Sequence, residues 1–291
     1  MKLNNLVEKY LIEQRCRGNT NFTLDYYRTV LSRFVDFCGD VPAEELTLEL
    51  CQEYYFNLRS NELSSGSVQT YIRGLRAFLS WCYDFGYIST DITARFKLPK
   101  AQRKTIDVLT DEEIVRLFSC FPDNFIGKRN LCMSVLMLDS GLRLNEVVTL
   151  ESSQIHLEDR YCIVNGKCQK QRIVPLGSVS CSCLDNYLSV RPDSKYVFCK
   201  HDGEPITRDI IKNSFRKLRK TTDIDRLHPH LLRHTFATRY LENGGDIYRL
   251  QVILGHTSLE MVKKYLHIST NRVQADFLKY SPLDNCLHTS A

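Results

Sequence analysis

No stretch of this chain reaches the roughly 18 consecutive apolar residues that a membrane helix requires. The opening residues MKLNNLVEKYLIEQ form an amphipathic pattern and lack the apolar core of a secretory leader. These two absences lead to the expectation of a soluble, cytoplasmic protein with no membrane partner. The twelve cysteines include no C-x-x-C pair, which argues for reduced thiols rather than a disulfide framework. The nearest approach to a metal constellation is Cys181 and Cys183 with Cys199 and His201. Each pair has a single intervening residue, whereas structural zinc usually has two to four. No metal is therefore expected, and the cysteines read as small buried hydrophobes. No internal repeat or low-complexity tract interrupts the chain.

With 291 residues there is room for two domains of ordinary size, and 43% hydrophobic with 25% charged residues is normal for a globular protein. The formal net charge of +5 leans mildly toward polyanionic partners.

Residues 1–97 read as all-helical. Leu3, Leu6, Val7, Tyr10 and Leu11 recur at helical spacing, as do Tyr26, Tyr27, Val30, Leu31 and Phe34. A third set runs Val68, Tyr71, Ile72, Leu75, Phe78, Leu79 and Cys82 behind the capping stretch Ser64-Ser65-Gly66-Ser67. That helix carries Arg73 and Arg76 beside its apolar stripe. Residues 98–108 begin basic, contain Pro99 and lack periodicity, so they read as a linker. Residues 109–291 form the second domain, opened by the cap and acids of Thr110-Asp111-Glu112-Glu113. Helices are expected over Ile114 to Phe118 and Arg129 to Leu138, the latter ending at Ser140-Gly141. The period then drops to two. Tyr161 to Val164 and Gln171 to Pro175, with a turn at Asn165-Gly166-Lys167, read as a hairpin, and helix resumes from Arg208. The fold class expected is mainly α: a helical N-terminal domain, then a mixed α+β domain with one small antiparallel sheet.

Four segments of the second domain carry residues that phosphoryl transfer needs. Ser140-Gly141-Leu142-Arg143-Leu144-Asn145-Glu146 ends one helix and starts another. Gly166-Lys167 sits at the hairpin tip. His230-Leu231-Leu232-Arg233-His234 places His230 and Arg233 on one helical face. Leu254-Gly255-His256-Thr257-Ser258 precedes Tyr265, which stands nine residues after His256. Each piece alone has an ordinary reading: a surface arginine, a structural histidine, a packing tyrosine among fifteen. The signal is the ordered set within one domain.

That set resembles the tyrosine recombinase (phage integrase) family, particularly its short Xer-like and transposon-integrase members. Ser140-Gly141-Leu142-Arg143 is similar to the family's first arginine box, and Lys167 falls 24 residues on, where the family keeps a lysine. His230-Leu-Leu-Arg233-His234-Thr-Phe-Ala-Thr resembles the second box, and Leu254-Gly255-His256 with Tyr265 the third. The resemblance implies a DNA-clamping N-terminal domain and a catalytic domain that breaks and rejoins DNA through a 3′-phosphotyrosyl intermediate. It implies Tyr265 as nucleophile, Lys167 as general acid to the 5′ oxygen, His230 as helper in accepting the tyrosine proton, and His256 as a donor to the phosphate. Arg143 and Arg233 suit such chemistry as planar, always-charged forks for the non-bridging oxygens, and they favour a phenolate nearby. Because the phosphotyrosyl link stores the bond energy, no cofactor is expected.

Glu146, one turn after Arg143, reads either as a carboxylate orienting the site or as an N-terminal helix acid. His234 reads as structural. The segment Arg208 to Lys220 holds six basic residues and one acid, with Ile210, Ile211, Phe215 and Leu218 as an apolar stripe. DNA contact is expected from Lys212, Asn213, Arg216 and Lys217, and from Arg73 and Arg76. In the family the C-terminal tail docks on a neighbouring subunit, so Phe277 and Leu278 read as its anchor or as packing within their own domain. The expected partner is double-stranded DNA with two inverted half-sites, a simple core site since no arm-binding domain precedes residue 1, bound by a homo-tetramer, or by a tetramer with related recombinase subunits, spanning two duplexes. Two other readings remain open here: a type IB topoisomerase acting as a monomer, and a catalytically silent DNA-binding regulator.

Overall fold

The computed structural model describes residues 1–99, 106–166, 171–256, 258–263 and 265. The chain divides into two compact units, Met1–Lys104 and Thr105–Ala291.

The first unit is helical: α1 Leu3–Cys16, α2 Asn21–Cys38, α3 Leu48–Ser60 and α4 Ser65–Asp84. Three of these starts are set by a hydroxyl at the N-cap. Thr20, Thr47 and Ser64 each accept from the backbone N–H three residues on, satisfying one of the donors a helix start leaves unpaired. The apolar stripes of α1, α2 and α4 meet around Tyr10. The rings of Tyr27, Phe78 and Trp81 stand 5.1, 5.5 and 5.3 Å from it in edge-on contact. The sequence reading did not pick out α3. Its buried residues Cys51, Tyr54 and Leu58 make a stripe only one side chain wide. Arg73 is exposed on α4, whereas Arg76 donates to the Thr93 carbonyl at 2.9 Å and so fastens the segment after the helix.

The second unit combines helices with a three-stranded antiparallel sheet of order β1-β2-β3. Its helices are α5 Asp111–Ser119, α6 Phe125–Asp139, α7 Leu144–Val148, α8 Ser178–Leu188, α9 Arg208–Thr222, α10 Pro229–Glu242, α11 Ile247–Leu254 and α12 Glu260–Lys263. The strands are β1 Ile155–His156, β2 Tyr161–Asn165 and β3 Gln171–Pro175. The expected cap of α5 is present in full: Thr110 Oγ1 accepts from Glu113 N, and Glu113 Oε2 accepts from Thr110 N. The hairpin is present as expected, with Asn165 paired to Gln171, and β1 adds a short third strand beside β2. Its turn at Lys167, like Phe277 and Leu278, lies outside the described residues.

Helix α6 is the centre of this unit. It buries Cys132, Met133, Leu136 and Met137 and packs on α8 and α10. No described helix is long and apolar enough to cross a membrane. Desolvation pushes the buried Cys162 thiol up to about 12 and so keeps it protonated. Of the four residues weighed as metal ligands, Cys199 takes a contact from the Tyr187 hydroxyl, and His201 packs on Phe125 with ring centroids 4.3 Å apart. Among the described residues, no group of three or more His, Cys, Asp or Glu is placed to hold a metal.

Candidate active site

The site is assembled at the ends of short elements. Helix α6 stops at Ser140, and Gly141 follows with φ of +66°. A Cβ there would sit 2.4 Å from the Phe236 ring, so the turn needs glycine for both its backbone angle and its space. The turn delivers Arg143 as the N-cap of α7. Glu146, three residues on, reaches back and accepts from the Arg143 backbone N–H at 2.8 Å.

The Glu146 carboxylate is 5% exposed and serves more than the cap. Its Oε1 accepts from Arg143 Nη1 at 2.8 Å. Arg172 of β3 grips it with both prongs, Nη1 to Oε1 at 2.8 Å and Nη2 to Oε2 at 2.9 Å. Arg233 Nη1 lies 4.0 Å from Oε2. Glu146 is thus a helix-start acid whose carboxylate also contacts three arginines. Burial opposes its ionisation, but hydrogen bonds and charge from Arg172, then Arg143, outweigh that and bring its pKa down to about 2.

The depressed pKa sets an acid limit. Ionised Glu146 stabilises the fold in full above the ordinary carboxylate range near 4.5, and that contribution disappears as pH falls toward 2. It amounts to about 3 kcal/mol at most. Urea unfolding of wild type and Glu146→Gln across this range checks it. The free-energy difference between the two should shrink on acidification, and a constant difference would refute the ionised assignment.

Arg233 of α10 is 4% exposed. It donates to the Gly141 carbonyl, to Leu254 O at 2.7 Å, and to His256 Nε2 at 3.1 Å. Since a guanidinium can only donate, Nε2 of His256 is the acceptor and Nδ1 carries the proton. Burial, then repulsion from Arg143, pulls the Arg233 pKa down to about 9, which still leaves it charged at neutral pH. Helix α11 ends at Gly255, whose φ of +61° closes the helix and turns His256 back toward Arg233. Arg143 Nη2 reaches the Gly255 carbonyl at 3.4 Å, so both boxes meet at one place.

Tyr265 is 3% exposed and packs with Ala237, Leu241, Leu250, Leu254 and Val262. Burial raises its pKa, while Arg233 and Arg143 pull the other way. Its hydroxyl lies 2.9 Å from Nδ1 of His234. His234, read from the sequence as structural, thus faces Tyr265. On a helix the positions i, i+3 and i+4 share a face, so His230, Arg233 and His234 point the same way. The rings of His230 and His234 are 6.4 Å apart, and His230 is the exposed one.

The structure therefore brings together Arg143, Glu146, Arg233, His256 and Tyr265, with His230 one turn before His234. It adds Arg172 and His234. Lys167 lies outside the described residues. On α9, Lys212, Asn213, Arg216 and Lys217 form one exposed face opposite buried Ile211, Phe215 and Leu218.

Known proteins resemble this chain over nearly its whole length. Residues 107–272 match the phage integrase family, and residues 2–98 match the phage integrase SAM-like domain. The tyrosine recombinase XerD of Halalkalibacterium halodurans is 29% identical over 96% of this chain and 98% of its own length. The Tn1549 transposon integrase, solved with transposon right end DNA, has a TM-score of 0.80 at 20% identity, covering 96% of this chain and 99% of that one. A lambda integrase tetramer bound to a Holliday junction has a TM-score of 0.77 at 18% identity, covering 91% of this chain and 77% of that one. The chain belongs to the phage integrase family, the tyrosine-type site-specific recombinases, enzymes that break and rejoin DNA.

Proposed function

We propose that this enzyme cleaves DNA by attack of Tyr265 on a phosphodiester held by Arg143 and Arg233. The observation that carries the reading is the convergence of both guanidiniums with His256 at the α6–α7 turn, beside the tyrosine. In the step, Tyr265 Oη bonds to phosphorus and the bond to the 5′ oxygen breaks. The arginines neutralise the non-bridging oxygens, where charge accumulates. His256 presents Nδ1–H to the same phosphate. Lys167 supplies the leaving oxygen's proton. A second strand's 5′ hydroxyl then reverses the sequence, so bond energy is conserved and neither nucleotide nor metal chemistry is called for. A nicked duplex that loses its short 5′ fragment after cleavage traps the covalent complex. Failure of any DNA to form it would remove the reading.

The phenol must lose its proton for this attack, and the histidine within bonding reach is His234. We assign it the proton, with His230 one turn away. His234→Phe is expected to slow covalent-complex formation about 100-fold, a usual contribution of general base catalysis, with DNA affinity unchanged. A rate within threefold of wild type would return the proton to His230.

DNA reaches the catalytic unit over the exposed face of α9, while the helical N-terminal unit of residues 1–97, with Arg73, clamps the duplex. Removing Lys212 and Lys217 together should lower the slope of log affinity against log salt by about 2, one for each lost phosphate contact. An unchanged slope would place the phosphates elsewhere. By analogy with the tetramer formed by its structural relative, the working assembly is four subunits on two sites of inverted half-sites, in the cytoplasm where the DNA is.

A further inference from the structure

Arg172 is an arginine on the inner side of a strand. Side chains two apart share a face of a strand, and Val174 on that face is fully buried. The Arg172 side chain is 10% exposed, and its guanidinium is held on three sides. Two prongs take Glu146, as described, and Nε donates to the Ile253 carbonyl at 2.6 Å. A Cβ on Gly255 would stand 3.0 Å from Arg172 Cδ and 3.1 Å from Nε, so the guanidinium fills the space that glycine leaves. Arg172 therefore ties β3 to the carboxylate behind Arg143 and to the turn that carries His256.

The charge arrangement gives this position a consequence for the reaction. Among the described residues, Glu146 is the single carboxylate facing Arg143, Arg172 and Arg233. If Arg143 alone held both oxygens of Glu146, that pair would be neutral, and a phosphate would meet one unneutralised guanidinium instead of two. Because Arg172 holds both oxygens, Arg143 keeps a single prong on Oε1 and its second amine group points to the Gly255 carbonyl.

Resting on the recombinase reading above, we propose that Arg172 is a positioning residue for strand cleavage: it occupies the Glu146 carboxylate so that Arg143 and Arg233 both bring net positive charge to the scissile phosphate, and it pins the turn that aims His256. A lysine cannot replace it, since one ammonium cannot span two carboxylate oxygens and a carbonyl in a fixed plane.

The test uses the full-length protein and a nicked duplex selected from a randomised pool by binding to the Tyr265→Phe variant. Affinity is measured separately from the first-order rate of covalent-complex formation at saturating protein. Arg172→Met should lower that rate at least 100-fold, with affinity within threefold of wild type. Arg172→Lys should lower it at least tenfold. Adding Glu146→Gln to Arg172→Met should recover at least tenfold, because the carboxylate that would capture Arg143 is then uncharged. A purely structural role predicts the opposite pattern: weaker binding, lower thermal stability and no recovery in the double variant. The proposal is overturned by an Arg172→Met rate within threefold of wild type, or by a double variant no faster than the single one. If Arg172→Met does not fold, Arg172→Lys and Arg172→Lys with Glu146→Gln decide in the same way. Wild-type protein that leaves the selected duplex uncut would instead overturn the recombinase reading, before any variant is compared.

Discussion

Tyr265→Phe is expected to abolish the covalent protein–DNA complex, lowering its rate of formation at least 10,000-fold, while the protein still folds and binds DNA. The ring of the replacement keeps the packing with Ala237, Leu241, Leu250, Leu254 and Val262, so the cavity cost is nil. What disappears is one hydroxyl and its bond to His234, worth about 1 kcal/mol of stability. Activity and stability thus separate widely at this position, which distinguishes a nucleophile from a packing residue. Gel separation of covalent from bound DNA, with affinity measured in parallel, reads both quantities. A covalent complex formed by Tyr265→Phe would assign the nucleophile to another residue.

Arg233→Lys is expected to fail on both counts at once. A lysine offers one ammonium where the guanidinium spans the Gly141 carbonyl, the Leu254 carbonyl and His256. At least one buried carbonyl then loses its donor, at about 1–3 kcal/mol, and the loss of a fitted fork at the phosphate should slow cleavage about 1,000-fold. Urea unfolding reads the first effect and the trapped covalent complex the second. If cleavage stayed within tenfold of wild type, Arg233 would be a strut of the fold and the phosphate would be held elsewhere. Tyr265→Phe and Arg233→Lys therefore leave different signatures, one chemical and one both chemical and structural.

Much of the site could be read from residue order because its parts lie in short contiguous motifs. A glycine before Arg143, three-residue spacing from His230 to Arg233, and a Gly-His pair before Tyr265 each reflect a local backbone requirement. Helix α5 was legible for the same reason, since its capping box lies within four residues. Arg172 was not. Its partners Glu146 and Ile253 are 26 and 81 residues away in the chain, and only the hairpin's alternation hinted that it faces inward beside Val174. His234 lies at i+4 on the helix face of His230, but its partner, the Tyr265 hydroxyl, is 31 residues away in the chain, so adjacency to Arg233 does not reveal it. The third strand was also missed: two residues, Ile155 and His156, are too few to show a period.

The burial of Tyr265 has a kinetic consequence. In the proposed step, a side chain 3% exposed meets a phosphate arriving from solvent only after the packing over its ring opens, with its hydroxyl still at His234. Uncovering an aromatic ring from such packing costs about 1.5–3 kcal/mol, which leaves roughly one molecule in ten to one in a hundred with the tyrosine presented. The observed cleavage rate is then the intrinsic rate multiplied by that fraction. Whatever raises the fraction accelerates cleavage without touching the chemistry, and whatever lowers it protects the DNA from stray nicks.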